Sequence, residues 1–520
     1  MIYRSTLPDV EIPDVTLVEH VLRPARDRRD KVALIDAISG EKLSYGELLD
    51  VALAAAAGLA KLGVRAGDVI ALISQNQPRF ALATYAVMAA GAAVTPMNPA
   101  LTAGEMAKQI AAANAQVVIC SVEAVEKAAE AADACRVGHV FVLGDQNLPQ
   151  ARSFNELMTA GGAVSGPDLD PRTALAALPF SSGTTGTAKG VMLTHRNLVA
   201  NIEQHALGWL LDESDVVAAV PPFFHIYGFN VVLNFALRAG ATIVTLSPYS
   251  LPGYLQMVEQ HRVTRAYLAP PMVLALASAD EVQDYDLSSV RYGMCGGAPL
   301  DAELAAAAEI RLGCSIRQGY GMTEASPGTH AVPDAEVDAV PAGSVGRLVA
   351  STEARLVDPE TGQDVPPFEP GELWVRGPQV MAGYLDNSRA TADTVVADGW
   401  LRTGDIARTD DSGLYWVVDR LKELIKYKGY QVPPAELESV LLTHPDVSDV
   451  AVIGVPHREG GEAPKAFVVA TRPTDADSLM RWVSDRVAPY KRVREVEFIG
   501  AIPKAASGKI LRRLLKAGGA

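Results

Sequence analysis

Cysteine is nearly absent: Cys120, Cys135, Cys295 and Cys314 are the only four in a chain of 520 residues. They stand far apart, without a CxxC pair or a zinc-type pairing with histidine. A disulfide framework and a zinc knuckle are therefore excluded, and free thiols in a reducing compartment are expected. Positive charge is also in short supply: 46 Lys and Arg against 61 Asp and Glu leave a formal net charge of −15. No basic patch is evident beyond Arg512, Arg513 and Lys516, so nucleic acid is not an expected partner. Long apolar runs are missing too. The longest, Ala81–Val94, falls short of the about 20 residues that a membrane-spanning helix needs. The opening MIYRSTLPDVEIPD carries no apolar signal core, and Ala517–Ala520 no peroxisomal tripeptide, so a cytoplasmic protein is the expectation. There is no internal repeat, no low-complexity linker, and no Ser-His-Asp spacing.

What is present is a hydrophobic share of 49% with 21% charged residues, the balance of a globular chain long enough for two to four packed units. One stretch stands out, FSSGTTGTAKGV at 180–191. Ser181, Ser182, Thr184, Thr185 and Thr187 alternate with Gly183, Gly186 and Gly190, and Lys189 follows. Glycines let backbone N–H groups approach an anion, hydroxyls add donors and the lysine adds a point charge. An apolar run, Ala174–Phe180, reads as a buried strand leading in, and a helix is expected to start at Thr194–Leu198. A strand, this loop and a helix would form a polyphosphate site. The motif is not a Walker A, because Ala188-Lys189-Gly190 stands where Gly-Lys-Ser/Thr is needed. A Ser/Thr/Gly-rich surface linker is the plainer alternative, and the apolar flanks argue against it.

The rest of the first 300 residues alternates short apolar strands with helices. Ser44 with Glu47, and Thr102 with Glu105, are capping boxes. Strands are expected at Val69–Ser74, Ala92–Met97, Val117–Cys120, Val140–Leu143, Val216–Val220, Ala241–Leu246, Ala266–Ala269, Tyr292–Cys295 and Ser315–Gln318. This rhythm predicts an α/β fold with parallel-rich sheets. Several strands end in small, polar or aromatic residues, as in Pro221–His225, Gly296–Pro299 and Gly319–Glu324, and such loops lie together at the carboxyl edge of a parallel sheet. After Gly343 the texture turns to β. A charged run from Lys422 to Gly429 then leads into a small α+β lobe. Two domains follow: a large, multi-subdomain N-terminal domain over 1–419, and a mobile C-terminal lobe over 420–520 with a hinge near Lys422.

Taken in order, FSSGTTGTAKGV, PFFHIYG (222–228), GYGMTE (319–324), GELWVRG (371–377), Thr403-Gly404-Asp405, VVDRLKELIKYKGYQV (417–432) and PKAASGKILRR (503–513) resemble the adenylate-forming superfamily of acyl-CoA synthetases, luciferases and adenylation domains. The nearest resemblance is to 4-coumarate–CoA ligases. It implies an ATP-dependent enzyme that makes an acyl-AMP and pyrophosphate, then passes the acyl group to coenzyme A and releases AMP. ATP, Mg2+ and CoA are implied cofactors and substrates, with a small carboxylic acid as the other reactant, in a monomer or homodimer.

The resemblance also implies roles. Lys509 bridges carboxylate and phosphate, Thr323 contacts the α-phosphate, and Glu324 is the magnesium ligand. His225 gates the passage between acyl pocket and thiol channel. Nucleotide contacts fall to Ser181, Ser182, Gly183, Thr184, Thr185, Gly186, Lys189, Gly297, Ala298, Gln318, Gly319, Tyr320, Gly321 and Met322. Asp405 holds the ribose hydroxyls with help from Arg420. Lys426 and Gln431 contact the adenylate, while Lys428 and Gly429 serve the thiol half-reaction. Pocket walls map to His225, Tyr227, Gly296, Gly297, Ala298, Gly321, Pro327 and Gly328. They are mostly small, and leave room for a flat ring or an alkyl chain. A cinnamate or 4-coumarate type of acid is expected first, with a medium-chain fatty acid, or loading of a carrier protein in place of CoA, as alternatives. Relative to plant coumarate ligases, Thr187-Ala188 replaces Leu-Pro, Trp374 takes a Cys position and Gly328 stands where Val is usual.

Overall fold

The computed structural model describes residues 1–159, 167–181, 188–427, 430–457, 461–505 and 508–516. Both expected capping boxes form. Ser44 accepts from the Glu47 N–H at 3.2 Å while Glu47 accepts from the Ser44 N–H at 2.8 Å, opening the helix Tyr45–Lys61. Thr102 and Glu105 open Ala103–Ala112 in the same way. Each box satisfies two backbone donors that a helix start leaves free.

Two parallel-rich sheets form the large domain. In the first, Leu175–Ala177, Ala93–Met97, Val69–Ile73, Ala115–Cys120, Val140–Val142 and Arg152–Ser153 run parallel in that order. Ile70–Ile73 are fully buried, as a strand covered on both faces must be. In the second, Ile316–Gln318, Tyr292–Cys295, Arg265–Leu268, Val216–Ala219, Thr242–Thr245 and Val32–Asp36 are parallel neighbours, with Lys42–Ser44 antiparallel at the edge. The expected change of texture is real. Glu353–Val357, Gly371–Arg376, Trp400–Thr409 and Tyr415–Arg420 pair antiparallel. Tyr320–Gly321, Gly328–Ala331 and Arg347–Leu348 make a small third layer.

The C-terminal lobe has its own sheet, Tyr430–Val432, Ile425–Tyr427, Gly461–Ala470, Val447–His457, with Glu495–Phe498 on Gly461–Ala470. The helices Pro434–Leu442 and Ala476–Ser484 close a separate core of Ile425, Val432, Leu437, Leu441, Val452, Val468 and Leu479. The fold is thus α/β, with a large N-terminal and a small α+β C-terminal domain. Among the described residues no helix is long and apolar enough to cross a membrane; Ala81–Val94 is divided between the helix Pro78–Ala89 and the strand Ala93–Met97.

The helix expected to start at Thr194–Leu198 does so, capped by Thr194, but one local expectation changes. The glycine loop does not lead directly into a helix. Lys189–Thr194 is a strand that folds back on Phe180–Ser181, with Ser181 opposite Lys189, and the helix His195–Ala206 begins only after it. The loop therefore joins two antiparallel strands, and the helix dipole is one strand removed from it. The charged run carries a strand, Ile425–Tyr427, with Ile425 and Tyr427 buried.

Candidate active site

Four neighbouring parallel strands of the second sheet deliver their loops to one edge. The Val216–Ala219 strand leads to His225, Arg265–Leu268 to Pro270-Pro271, Tyr292–Cys295 to Gly296-Gly297-Ala298, and Ile316–Gln318 to Gly319–Glu324. Gln318 ties two of these loops: its side chain accepts from the Leu300 N–H at 2.9 Å and donates to the Leu300 carbonyl at 3.2 Å. A Cβ on Gly319 would stand 2.6 Å from the Met294 methyl and 3.3 Å from the His330 carbonyl oxygen. Met322 donates to the Pro327 carbonyl at 3.0 Å, closing the turn that carries Thr323 and Glu324.

Two buried carboxylates stand among these loops. Glu324 Oε1 accepts from Ser181 Oγ at 3.1 Å and from Tyr384 Oη at 2.8 Å. Lys189 Nζ lies 4.6 Å from the centre of the same tyrosine ring. The second is Asp405, which accepts from Tyr320 Oη at 2.5 Å and lies 3.4 Å from Arg420 Nε. Burial pushes its carboxyl up, and Arg420, Tyr320 and Lys509 work against that rise. Among the described residues no cluster of three metal-ligating side chains exists. A lone carboxylate fits a hard ion whose other ligands are substrate phosphates and water. Glu324 meets that description, because both of its hydroxyl donors sit on one oxygen.

The terminal loop reaches into the same space. Gly508 packs against the N-terminal domain: a Cβ there would stand 3.0 Å from Pro271 Cδ. The next residue is Lys509. Burial, then Arg420, brings its ammonium down to about 8, while Glu423, Asp405 and Glu324 pull it back up. Burial and the charge of Lys509 hold His225 down at about 4, so the imidazole is neutral. Its Nδ1 accepts from the Tyr227 N–H at 3.3 Å. Arg512 is no basic tail. Its guanidinium is held by Glu423 at 2.7 Å and by both oxygens of Glu438 at 2.7 and 2.8 Å.

Two groups of the expected pocket walls lie side by side, Tyr227 with Gly296 and Gly321 with Pro327 and Gly328. A Cβ on Gly296 would stand 3.3 Å from the Tyr227 ring, and one on Gly321 would stand 2.2 Å from the Pro327 carbonyl oxygen. One on Gly328 would stand 2.3 Å from His205 Nε2 and Cε1. These glycines are small because neighbours already fill the space, which corrects the reading of Gly328 as open room. Lys426 and Gln431 are cross-strand partners in the lobe, and Lys426 is exposed. Ser182, Gly183, Thr184, Thr185, Gly186, Lys428 and Gly429, with the Gln431 side chain, lie outside the described residues.

This arrangement can be set beside known proteins. The family model described as AMP-binding enzyme matches residues 21–385, and that of the AMP-binding enzyme C-terminal domain matches 436–509. The chain belongs to the AMP-binding enzyme family. It is similar to 4-coumarate–CoA ligase 5 of Oryza sativa subsp. japonica, 42% identical over 99% of this chain and 97% of that one. It is also similar to 4-coumarate–CoA ligase 1 of Arabidopsis thaliana, 39% identical over 99% and 95%. Among solved structures, an anthranilate CoA ligase in complex with anthranoyl-AMP superposes with a TM-score of 0.90, at 27% identity over 98% of both chains. The chain is an enzyme of the AMP-forming acid–CoA ligase class.

In this AMP-binding enzyme the strand-and-loop motifs indicated Glu324, Asp405, Arg420 and Lys509. They did not indicate Tyr384, Arg512 or His205. A lone tyrosine after Gly383, an arginine in a basic run and a histidine inside a helix carry no local signal; Glu324 lies 60 positions from Tyr384, Glu438 lies 74 from Arg512, and Gly328 lies 123 from His205.

Proposed function

We propose that this ligase activates an aromatic acid of the cinnamate or 4-coumarate type. One carboxylate oxygen attacks the α-phosphorus of ATP, pyrophosphate leaves, and acyl-AMP remains. The CoA thiol then attacks the acyl carbon, a proton is released, and AMP departs. The names of the plant relatives at about 40% identity and the aromatic acyl-AMP in the structural neighbour support the aromatic class.

The single observation that carries the first step is the placement of Lys509. The ammonium stands on a loop of the small lobe, yet it feels Asp405 and Glu324 of the large domain, along with Arg420 at the boundary. Two anions repel as they meet, and a preplaced cation in a partly buried cleft offsets that repulsion where it is strongest. Thr323 contacts the α-phosphate, and the hydroxyl-and-glycine loop with Lys189 holds the outer phosphates. Gln318, Gly319, Gly321 and Met322 shape the adenine side with Tyr320. Asp405 keeps acceptor capacity for the ribose hydroxyls beyond its bonds to Tyr320 and Arg420. Glu324 would hold Mg2+, which supplies charge neutralisation at the phosphates when bound.

For the second step the small lobe, residues 420–520, turns about Lys422. That withdraws Lys509 and presents Lys428 and Gly429 to the thiol channel. His225, neutral at working pH, gates the passage between the acyl pocket and that channel. In Lys509→Ala, acid-dependent pyrophosphate exchange is expected to disappear while thioester formation from supplied acyl-AMP continues. Loss of both half-reactions in a folded variant overturns this division of labour.

A further inference from the structure

We propose that Tyr384 is a positioning residue for the adenylation step: its hydroxyl holds the Glu324 carboxylate with one oxygen left for Mg2+, and its ring seats the Lys189 ammonium. One side chain then sets both positive charges that the phosphates meet. This rests on the reading above that Glu324 holds Mg2+ and Lys189 the outer phosphates.

Tyr384 stands where three segments meet. Val191, on the strand Lys189–Thr194, is its cross-strand partner, and the Leu385 N–H donates to the Gly190 carbonyl at 2.8 Å. The Met381 N–H donates to the Glu324 carbonyl at 2.9 Å. Residues 381–385 are thus stitched on one side to the strand that leaves the glycine loop, and on the other to the turn that carries Glu324. The backbone of Tyr384 is held as well: its N–H donates to Thr391 Oγ1 at 2.9 Å, on the helix Ser388–Thr394. The preceding Gly383 has a φ of +147°, and a Cβ there would stand 2.9 Å from the Thr391 methyl. This close seat against the helix requires glycine.

From that seat the buried side chain reaches both charged groups. Its Oη donates to Glu324 Oε1 at 2.8 Å, and Ser181 Oγ donates to the same oxygen at 3.1 Å. A carboxylate has about four acceptor positions, two on each oxygen. Two donors converging on Oε1 fix the rotation of the group and leave the lone pairs of Oε2 for a cation. Hydrogen bonds of this kind orient a metal's ligands. The face of the same ring lies 4.6 Å from Lys189 Nζ. A ring face attracts an ammonium and holds it without placing a hydrogen-bond acceptor on its N–H groups. Lys189 and Ser181 are opposite each other in the hairpin, so the ammonium, the carboxylate and its two hydroxyl donors form one patch. Phenylalanine at 384 would supply only the ring.

The test measures ATP binding by calorimetry without the acid, once with Mg2+ and once with EDTA. The ratio of the two dissociation constants is the Mg2+ advantage. Tyr384→Phe should lower that advantage roughly tenfold and leave the metal-free affinity as it is, because the ring remains. Tyr384→Leu should also lower the metal-free affinity, roughly two- to fivefold. On a Glu324→Gln background, Tyr384→Phe should change the advantage no further, since the hydroxyl acts through the carboxylate. A tyrosine that only fills space would lower Tm and leave the ratio at its wild-type value. An unchanged ratio in Tyr384→Phe, or a further drop on the Glu324→Gln background, overturns the role of the hydroxyl. An unchanged metal-free affinity in Tyr384→Leu overturns the seat for Lys189. Where Tyr384→Leu fails to fold, Tyr384→Phe, which keeps the volume of the ring, still decides. An undiminished Mg2+ advantage in Glu324→Gln marks a different failure, that of Glu324 as the metal ligand, and the proposal falls with it.

Discussion

Replacing Arg512 by methionine asks whether the lobe's own framework delivers Lys509. The guanidinium holds both Glu438 oxygens, Glu423, and the Val452 carbonyl at 3.1 Å. The Arg512 and Glu438 side chains are 14% and 11% exposed, so Arg512→Met strands a carboxylate in the interior. Breaking a buried pair from one side costs about 3–5 kcal/mol. Burial already pushes Glu438 up to about 7, and without the cation it rises further. A carboxyl raised above its unfolded value holds a proton that the unfolded chain has released, so stability falls as pH rises through that window. The urea-unfolding deficit of Arg512→Met should therefore be smallest near pH 6 and grow by about 1.4 kcal/mol toward pH 8, one pH unit above the parent's carboxyl. In Arg512→Met/Glu438→Gln the amide oxygen still accepts from the Val452 N–H, a bond of 2.7 Å in the parent, and most of the stability should return. Lys509, in the loop just before this anchor, should lose its placement. Pyrophosphate exchange is expected to fall about a hundredfold, as for a displacement of about 1 Å, with thioester formation from supplied acyl-AMP largely retained. Wild-type exchange in the folded variant, or a stability loss that ignores pH, refutes this reasoning.

Lys509 itself should set an alkaline limb. A lysine loses its charge as pH rises through its pKa, here brought down to about 8, so kcat/KM for exchange should drop about tenfold per pH unit above it. Lys509→Arg should move that limb out of range, and a profile flat to pH 10 speaks against the bridging role. Gly328→Val should lower Tm by overpacking against His205, at a cost of about 1–3 kcal/mol. An unchanged Tm with a shortened acid preference would mean that this wall opens on free space.

The chain's local chemistry determined a great deal by itself. Capping boxes at Ser44 and Thr102 announced their helices because a capping box needs only four consecutive residues. Buried parallel strands such as Val69–Ile73 were legible because both faces are apolar. Asp405, Glu324 and Lys509 were legible because each stands in a motif whose residue order is distinctive. Gly461–Ala470 was not, since its polar opening and Pro464 mask the strand period. The hairpin at Lys189 was hidden for a related reason: six residues are too short to show whether a loop leads to a strand or a helix. Only the tertiary structure decided what stands opposite each small residue. A glycine in sequence reads as vacant space, whereas in the fold His205 fills the place beside Gly328 and Tyr227 the place beside Gly296. Likewise, whether Arg512 is a solvated tail or a buried clamp depends on Glu423 and Glu438, 89 and 74 positions away. Pairings of that range are set by how the layers pack, and no local pattern carries them.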